Sequence, residues 1–236
     1  MAVRPGTWVR LRPAAALGAT AAAVAGSVAV TVAVVAGPGP GLSGYVSEAG
    51  VTASSYAAPY RGGVLGLAGA LLLLAVALPR PLRAVAALLG AGAAGAVLSA
   101  LVNCSAGCPL PPFEATTAAD LVHGGASIAA VACCVLAMLA LALAVPAPPG
   151  AAVGRLAMAG VVLALPLSAL VGLAMLTLGR GAVFGVLERL LLLVIVAWLA
   201  GTGLALARPG GGSARRGGPQ NSTVAKVPTG RKPHRT

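Results

Sequence analysis

The chain has 236 residues, of which 58% are hydrophobic and only 8% are charged, and its mean hydropathy is +0.96. An ordinary soluble domain carries charge on about a quarter of its residues. This composition therefore excludes a water-soluble globular protein and predicts an integral membrane protein whose partner is the lipid bilayer. The net charge of +12 does not indicate a nucleic-acid partner, because aromatic residues make up only 3% of the chain and the basic residues form no stripe on a soluble domain.

Six charge-free runs divide the sequence, and each is long enough to cross the hydrocarbon core of a membrane. A single charge at the centre of a spanning helix costs about 2.5 to 3.5 kcal/mol, so the charged residues mark the helix ends. Trimmed at their proline and glycine clusters, the runs predict an all-α fold, a polytopic transmembrane bundle of six helices at about 14–36, 62–79, 84–102, 121–145, 156–178 and 183–207.

The first predicted helix has an alternative interpretation. Arg4, Arg10 and Arg12 precede an apolar stretch, as in a secretory signal peptide that is cleaved from the mature protein. Its apolar run of about 23 residues is longer than the roughly 7 to 15 of such peptides, so we favour an uncleaved helix. In the third predicted helix, the run Gly90 to Gly95 predicts a face for close helix packing, or simply reflects the high alanine and glycine content.

The basic residues predict the orientation. With a cytoplasmic N-terminus, 13 of the 16 lysine and arginine residues lie on the cytoplasmic side, and all four acidic residues lie on the outer side. We therefore predict a plasma-membrane protein with both termini in the cytoplasm: a short basic N-terminus (1–13), a six-helix domain (14–207) and a basic tail (208–236). The tail has the composition of a disordered segment. Its charges either fix the topology alone or contact anionic lipids of the inner leaflet.

Four cysteines form two pairs along the sequence. Cys104 and Cys108 lie in a predicted outer loop, where an oxidising compartment and a flexible glycine between them favour a disulfide. A metal site is the less favoured alternative, because a four-ligand zinc site needs further histidine or cysteine residues and the outer loops hold none besides His123. We predict no metal and no cofactor. Cys133 and Cys134 fall inside the fourth helix and are interpreted as small apolar packing residues.

Six polar residues are predicted to reach the outer membrane face at similar depth. Asp120 and His123 are spaced i, i+3 and share one helix face. The candidate cluster consists of Glu48, Asn103, Asp120, His123, Glu188 and Arg189. Ionisable groups near the membrane interior are functional candidates. Three interpretations stay open: structural locking of the fourth helix to the sixth, ligand or proton handling, and catalysis.

Motifs of several enzyme classes are missing from the sequence. It contains no His-Glu-x-x-His pair, no Gly-x-Ser-x-Gly elbow and no phosphate-binding loop. We therefore expect a non-enzymatic membrane protein whose outer polar cluster locks the bundle or binds a small or lipid ligand. The alternative is a membrane-embedded enzyme or proton-coupled transporter that uses His123 with Glu188 or Asp120.

The order of short motifs along the chain resembles a known family. The motifs are Ser47-Glu48-Ala49-Gly50 after the first span, the small-residue third span with its Gly/Pro-containing outer loop, His123-Gly124 opening the fourth span, and Gly185-Val186-Leu187-Glu188-Arg189 opening the sixth. Over residues 14–207 they resemble the prokaryotic six-helix family known as domain of unknown function 998, which is distantly similar to Frag1/DRAM-type proteins.

The chain departs from the pattern of that family in two places. The family more often has Ser-Asp-Leu-Gly where this chain has Ser-Glu-Ala-Gly, and the Cys104–Cys108 segment replaces a Phe-Pro-x-Asp-like loop. The resemblance implies a fold and no reaction. If the family has a site, the matching positions are Glu48, His123, Glu188 and Arg189.

Overall fold

Helices make up most of the part of the chain that the computed structural model describes, residues 5–37, 44–51, 54–145 and 152–208, and no strand occurs there. Six of the helices are long and apolar enough to cross a membrane, which confirms the predicted all-α fold with six spans. They are α1 (Pro5–Ala36), α2 (Ala57–Ala77), α3 (Arg83–Leu101), α4 (Ala118–Ala144), α5 (Ala152–Thr177) and α6 (Ala182–Ala207). Short 3₁₀ helices lie at Val46–Gly50 and Arg80–Leu82.

Several helix bounds differ from those expected. The first helix begins at Pro5 and includes Pro13, whereas the sequence predicts a start at about residue 14. The fourth helix begins earlier than residue 121 because Thr117 caps it: the Thr117 hydroxyl accepts from the Asp120 N–H while the Asp120 carboxylate accepts from the Thr117 N–H. The predicted disordered tail lies outside the described residues from position 209 onward.

The helices form a closed ring in chain order. Each packs mainly on the helices before and after it, and α6 returns to pack on α1. Because consecutive helices run antiparallel, the starts of α2, α4 and α6 lie at one end of the ring. All four acidic residues of the chain belong to the segments at this end, which we call the acidic end: Glu48, Glu114, Asp120 and Glu188.

Glycines allow the closest helix contacts. A Cβ atom on Gly26 of α1 would lie 2.7 Å from the Gly63 carbonyl oxygen of α2, and one on Gly95 of α3 would lie 2.9 Å from the Ala126 carbonyl oxygen of α4. Of the predicted small-residue run, Gly92 and Gly95 face α4, whereas nothing lies within 4 Å of a Cβ on Gly90. Close backbone approach through small residues is the packing expected of membrane helices, because lipid supplies no hydrophobic drive between them.

Candidate functional site

Two connecting segments cover the acidic end. The first connection, residues 44–51, lies between α1 and α2, and the second connection, residues 102–117, joins α3 to α4. Tyr45 of the first connection packs edge-on against Phe184 of α6, with the ring centroids 4.6 Å apart. The same buried cluster includes both cysteines of the second connection. The two connections therefore meet over the helix ends.

Two glutamates hold the first connection by its main chain. The Glu188 carboxylate, six residues after the start of α6, accepts a hydrogen bond from the Val46 N–H at 2.9 Å. Glu48 accepts one from the Tyr45 N–H, also at 2.9 Å. Buried backbone N–H groups outside regular helices need acceptors, and these two carboxylates supply them.

Arg189 contributes the complementary half of the contact with α6. Its guanidinium donates to the Gly44 carbonyl oxygen at 3.0 Å and to the Gly185 carbonyl oxygen at 2.7 Å. The adjacent residues Glu188 and Arg189 thus bind an N–H group and a carbonyl of the same short segment. This pairing fixes both the position and the direction of the first connection on α6.

Arg180, in the turn between α5 and α6, links the two connections and was not among the predicted site residues. Its guanidinium lies 3.6 Å from the Glu48 carboxylate and 3.5 Å from the Glu114 carboxylate. It also passes Gly107, where φ is +85° and a Cβ would lie 2.7 Å from the guanidinium. Because the Arg180 side chain is 39% exposed, the ion pairs themselves are worth little.

The pKa of Tyr45 depends on its burial and on charges of the second connection and of α6. Burial raises the pKa of its phenol above the ordinary value of 10, and the carboxylates of Glu114 and Glu188 act in the same direction. The phenol therefore keeps its proton at neutral pH, where it lies against Phe184 without placing a further negative charge among the acids.

Asp120 binds the second connection at both of its ends. Its carboxylate accepts from the N–H of Ser105 at 2.7 Å and the N–H of Thr117 at 2.8 Å. The hydroxyls of the same two residues donate to it as well, at 3.0 Å and 2.7 Å. Asp120 is only 1% exposed, so its charge is compensated by donors of the protein, as a buried carboxylate requires.

His123 is tied to the end of α3 through one ring nitrogen. Its Nδ1 lies 2.9 Å from the Ser99 carbonyl oxygen and 2.8 Å from the Val102 carbonyl oxygen. Both partners only accept, so Nδ1 carries a proton and donates it, and Nε2 is the ring nitrogen left for another partner. His123 is 5% exposed, and Nε2 has no hydrogen-bond partner among the described residues.

The structure joins Cys104 and Cys108 in a disulfide, as the sequence favoured. The turn that brings them together is closed by the Cys108 N–H, which donates to the Ser105 carbonyl at 2.9 Å. Both cysteine sulfurs and a ring nitrogen of His123 lie within 4.8 Å of one another. The expectation of no metal site rested on these same three ligands being one short of a four-ligand zinc site, and the fold brings all three together.

The predicted cluster thus divides into two groups. Glu48, Glu188 and Arg189 surround the first connection, whereas Asp120 and His123 bind the second connection and the end of α3. Within the described residues, neither Asp120 nor His123 hydrogen-bonds to Glu188, so the expected pairing of the fourth helix with the sixth through these side chains is not found. Each carboxylate instead satisfies main-chain N–H groups of a connection.

One predicted site residue, Asn103, makes no described side-chain hydrogen bond, and three further residues that were not predicted take part in the site. The Asn103 side chain makes no hydrogen bond in the part of the chain that the structure describes, and the residue is half-buried. Tyr45, Ser105 and Thr117 were not predicted to belong to the site. A sequence signal existed only for Thr117, since Thr-x-x-Asp before an apolar run is a capping box.

The family model described as a protein of unknown function, DUF998, matches residues 20–205 of the chain. This is the family that the motif order resembled, and the match covers all six helices in large part. No curated protein and no solved structure matches the chain. The distant similarity to Frag1/DRAM-type proteins stays a prediction.

Proposed function

The chain belongs to the DUF998 family of proteins of unknown function, which assigns it no activity, and we propose from its own residues that it is a non-enzymatic, multi-pass protein of the plasma membrane. In this proposal Glu188 of α6 and Asp120 of α4 lock the two connections onto the helix bundle, and Glu48, itself a residue of the first connection, fixes that segment internally. We call Glu48, Asp120 and Glu188 the carboxylate latches.

One observation carries this proposal: all three latches accept hydrogen bonds from main-chain N–H groups of the connections. The donors are Tyr45 for Glu48, Val46 for Glu188, and both Ser105 and Thr117 for Asp120. A hydrogen bond to a charged acceptor contributes about 1.5 to 3 kcal/mol, and a buried N–H group left without an acceptor costs about 1 to 3 kcal/mol. The contacts are therefore those of a structural lock.

The alternative of an enzyme or proton-coupled transporter needs His123 to exchange a proton with Glu188 or Asp120. The Nδ1 proton of His123 is directed at two main-chain carbonyls, and the Asp120 oxygens accept from Ser105 and Thr117. A proton path, or a small or lipid ligand at these groups, would first have to displace bonds that hold the connections. The described contacts favour the lock.

The charge distribution supports an orientation for the locked end. The acidic end holds all four acidic residues, while 13 of the 16 basic residues belong to segments at the opposite end or in the tail. Since lysine and arginine accumulate on the cytoplasmic side, the proposal places the acidic end outside and both termini in the cytoplasm. The basic residues after 208 then face the anionic inner leaflet.

The proposal is tested by removing one latch and measuring the free energy of unfolding and the hydrogen exchange of the segment that the latch holds. Glu188→Met keeps the side-chain length but leaves the Val46 N–H without its acceptor, so we expect the free energy of unfolding in detergent to fall by about 2 kcal/mol. We also expect faster hydrogen exchange at Tyr45 and Val46, measured by mass spectrometry on peptides covering residues 44–51.

Glu114→Met is the matched control, because Glu114 is an acid of the same end whose described contact is an ion pair with the half-exposed Arg180. This variant should leave both the free energy of unfolding and the exchange of residues 44–51 unchanged. Equal effects of the two substitutions, or no effect of Glu188→Met, would contradict the lock.

A further inference from the structure

We propose that Cys104, Cys108 and His123 form a zinc site when the disulfide is reduced, so that disulfide and metal are alternative states of one site. This inference is independent of the carboxylate latches. It comes from the three potential ligand atoms that the fold brings together, two cysteine sulfurs and one imidazole nitrogen, all within 4.8 Å of one another.

The distances suit a metal ion. With zinc–sulfur bonds of about 2.3 Å and zinc–nitrogen bonds of about 2.0 to 2.1 Å, the ligand atoms of one tetrahedral zinc ion lie roughly 3.5 to 3.8 Å apart. This required separation is shorter than 4.8 Å, the distance within which the three ligand atoms all lie.

The hydrogen bonds of His123 hold its ring in an orientation that suits a metal ligand. Its Nδ1 proton is donated to the carbonyl oxygens of Ser99 and Val102 at the end of α3. A backbone carbonyl that accepts from the non-ligating nitrogen is the usual way in which a zinc-bound histidine is oriented. The remaining nitrogen, Nε2, is buried without a hydrogen-bond partner among the described residues, which is costly for a polar atom unless something binds it.

The two cysteines are held beside this histidine by the turn of the second connection. The turn contains Gly107 at φ +85°, followed by Cys108 itself at φ +45°, a conformation that residues other than glycine rarely adopt. Non-glycine residues in this region of backbone space occur disproportionately at binding sites. Both cysteines are 5% exposed, so a bound ion would be shielded from water.

Because the site is buried, a metal ion that cancels the charge of its ligands is favoured. Two thiolates and a neutral imidazole carry two negative charges, and a divalent cation cancels them, whereas a monovalent ion such as copper(I) would leave a net charge in a buried site. Thiolate and imidazole ligands together are typical of zinc. Three protein ligands leave the fourth position of the tetrahedron for water or another small ligand.

The conversion between the two states is balanced with a dithiol as the reductant. The dithiol is oxidised to its own disulfide and transfers two electrons and two protons to the Cys104–Cys108 bond, which gives two thiols. Zinc then displaces the two thiol protons and binds both sulfurs and His123 Nε2. In the reverse direction a small-molecule disulfide accepts two electrons from the thiolates and, with two protons from water, becomes two thiols; the Cys104–Cys108 bond re-forms, two ligands are removed and the ion is released.

Cobalt(II) is the probe for the experiment, because thiolate-bound cobalt has charge-transfer and tetrahedral absorption bands that zinc lacks. The full-length protein in detergent is reduced with a dithiol, freed from the reductant under argon and titrated with cobalt(II). We expect one ion per chain with thiolate charge-transfer bands, and displacement of that ion by zinc. No uptake by the unoxidised protein would overturn the proposal.

Three variants separate the ligands from the other thiols. Cys108→Ser and His123→Gln should each weaken cobalt binding at least as much as loss of an outer-shell partner does in other sites, about 10- to 100-fold. Cys133→Ser is the control, because Cys133 is a free, half-buried thiol inside α4, and it should bind as the wild type does. Unchanged affinity of His123→Gln would overturn the proposal, since two thiolates alone would then account for the binding.

A measurement on the wild-type chain avoids any dependence on how well the variants fold. In native membranes treated with a dithiol, zinc should slow alkylation of Cys104 and Cys108, identified by peptide mass spectrometry, and a chelator should restore it. Alkylation of Cys133 serves as the internal reference. Equal alkylation of Cys104 and Cys108 with and without zinc would contradict the proposal.

Discussion

The two connections over the acidic end are held by contacts that differ in how far apart the bonded residues lie along the sequence. The first connection is held from α6: Glu188 and Arg189 bind Val46 and Gly44 across separations of 142 and 145 residues. The second connection is held by its own neighbourhood, through Asp120, which is 15 residues from Ser105 and three from Thr117, and through the disulfide over four residues. One segment thus depends on the completed ring of helices, whereas the other is secured by residues close to it in sequence.

This difference predicts which part of the molecule each substitution affects. Local contacts persist when distant helices separate, so the second connection should keep much of its structure when α6 moves away from α1. The first connection should loosen as soon as α6 moves, because its acceptor for Val46 lies on that helix. Substitution of Glu188 or Asp120 should leave hydrogen exchange in the other connection nearly unchanged, because neither carboxylate accepts from a donor of the other connection.

The largest effect is expected for Asp120→Ala, which removes the acceptor of two main-chain N–H groups and two hydroxyls. We expect the free energy of unfolding in detergent to fall by about 3 kcal/mol or more, because these buried donors lose a charged partner. Hydrogen exchange should accelerate in residues 102–117 and not in residues 44–51. Asp120→Asn, which keeps one carbonyl oxygen, should have an intermediate effect.

Equal acceleration of exchange in both connections on Asp120→Ala would contradict the distinction between them. It would mean that the two segments open as one unit and that the range of the contacts does not matter. The buried cluster of Tyr45, Phe184 and both cysteines, to which the two connections each contribute, would then be the dominant link.

A smaller effect is expected from removing the covalent link. In a metal-free buffer, the double variant Cys104→Ser/Cys108→Ser should lower the free energy of unfolding by about 2 kcal/mol, the value that loop-closure entropy gives for so short a loop. The change should be confined to exchange in residues 102–117. Cys133→Ser, which removes a thiol that is not part of the disulfide, should change neither quantity, and a loss of stability in that control would assign the effect to general thiol replacement.

The contrast between the connections also marks what the sequence could predict. The number of helices and the cysteine pairing follow from composition and short spacing, and both are found in the structure. Of the small-residue run, Gly92 and Gly95 contact α4 and Gly90 does not. Within the site, the helix period places Asp120 and His123 on one face of α4, and they contact the second connection and the end of α3. Periodicity and spacing act over a few residues, so they describe the second connection well.

The long-range contacts could not be predicted in the same way. No spacing rule relates Glu188 to Val46, because their contact depends on α6 closing the ring on α1. From the sequence, the charged side chains were instead expected to pair with one another. Main-chain N–H groups of the connections are not visible as a pattern of residue types, although each one needs an acceptor when buried. The acids therefore bind the backbone, and the expected common pocket divides into two groups.

The smallest expected effect concerns Tyr45, the residue through which each connection influences the other. Its phenol has a pKa raised above 10 by burial first and by Glu114 next, and Glu114 belongs to the second connection. Because the neutral phenol is favoured in the folded state, its contribution to stability is complete below pH 10 and is lost as the pH rises through the folded-state pKa. Stability should therefore decline in alkaline buffer, and less so in Tyr45→Phe.

The same titration shows whether the two connections are electrostatically coupled. Glu114→Gln should lower the pKa of Tyr45 only in part, because burial against Phe184 is unaffected and remains the larger cause. The pKa is measured from the phenolate absorbance of the wild type minus that of Tyr45→Phe, which removes the signals of Tyr56 and Tyr60. An unchanged value in Glu114→Gln would mean that solvent screens the second connection from the first, and that the two segments communicate only through packing.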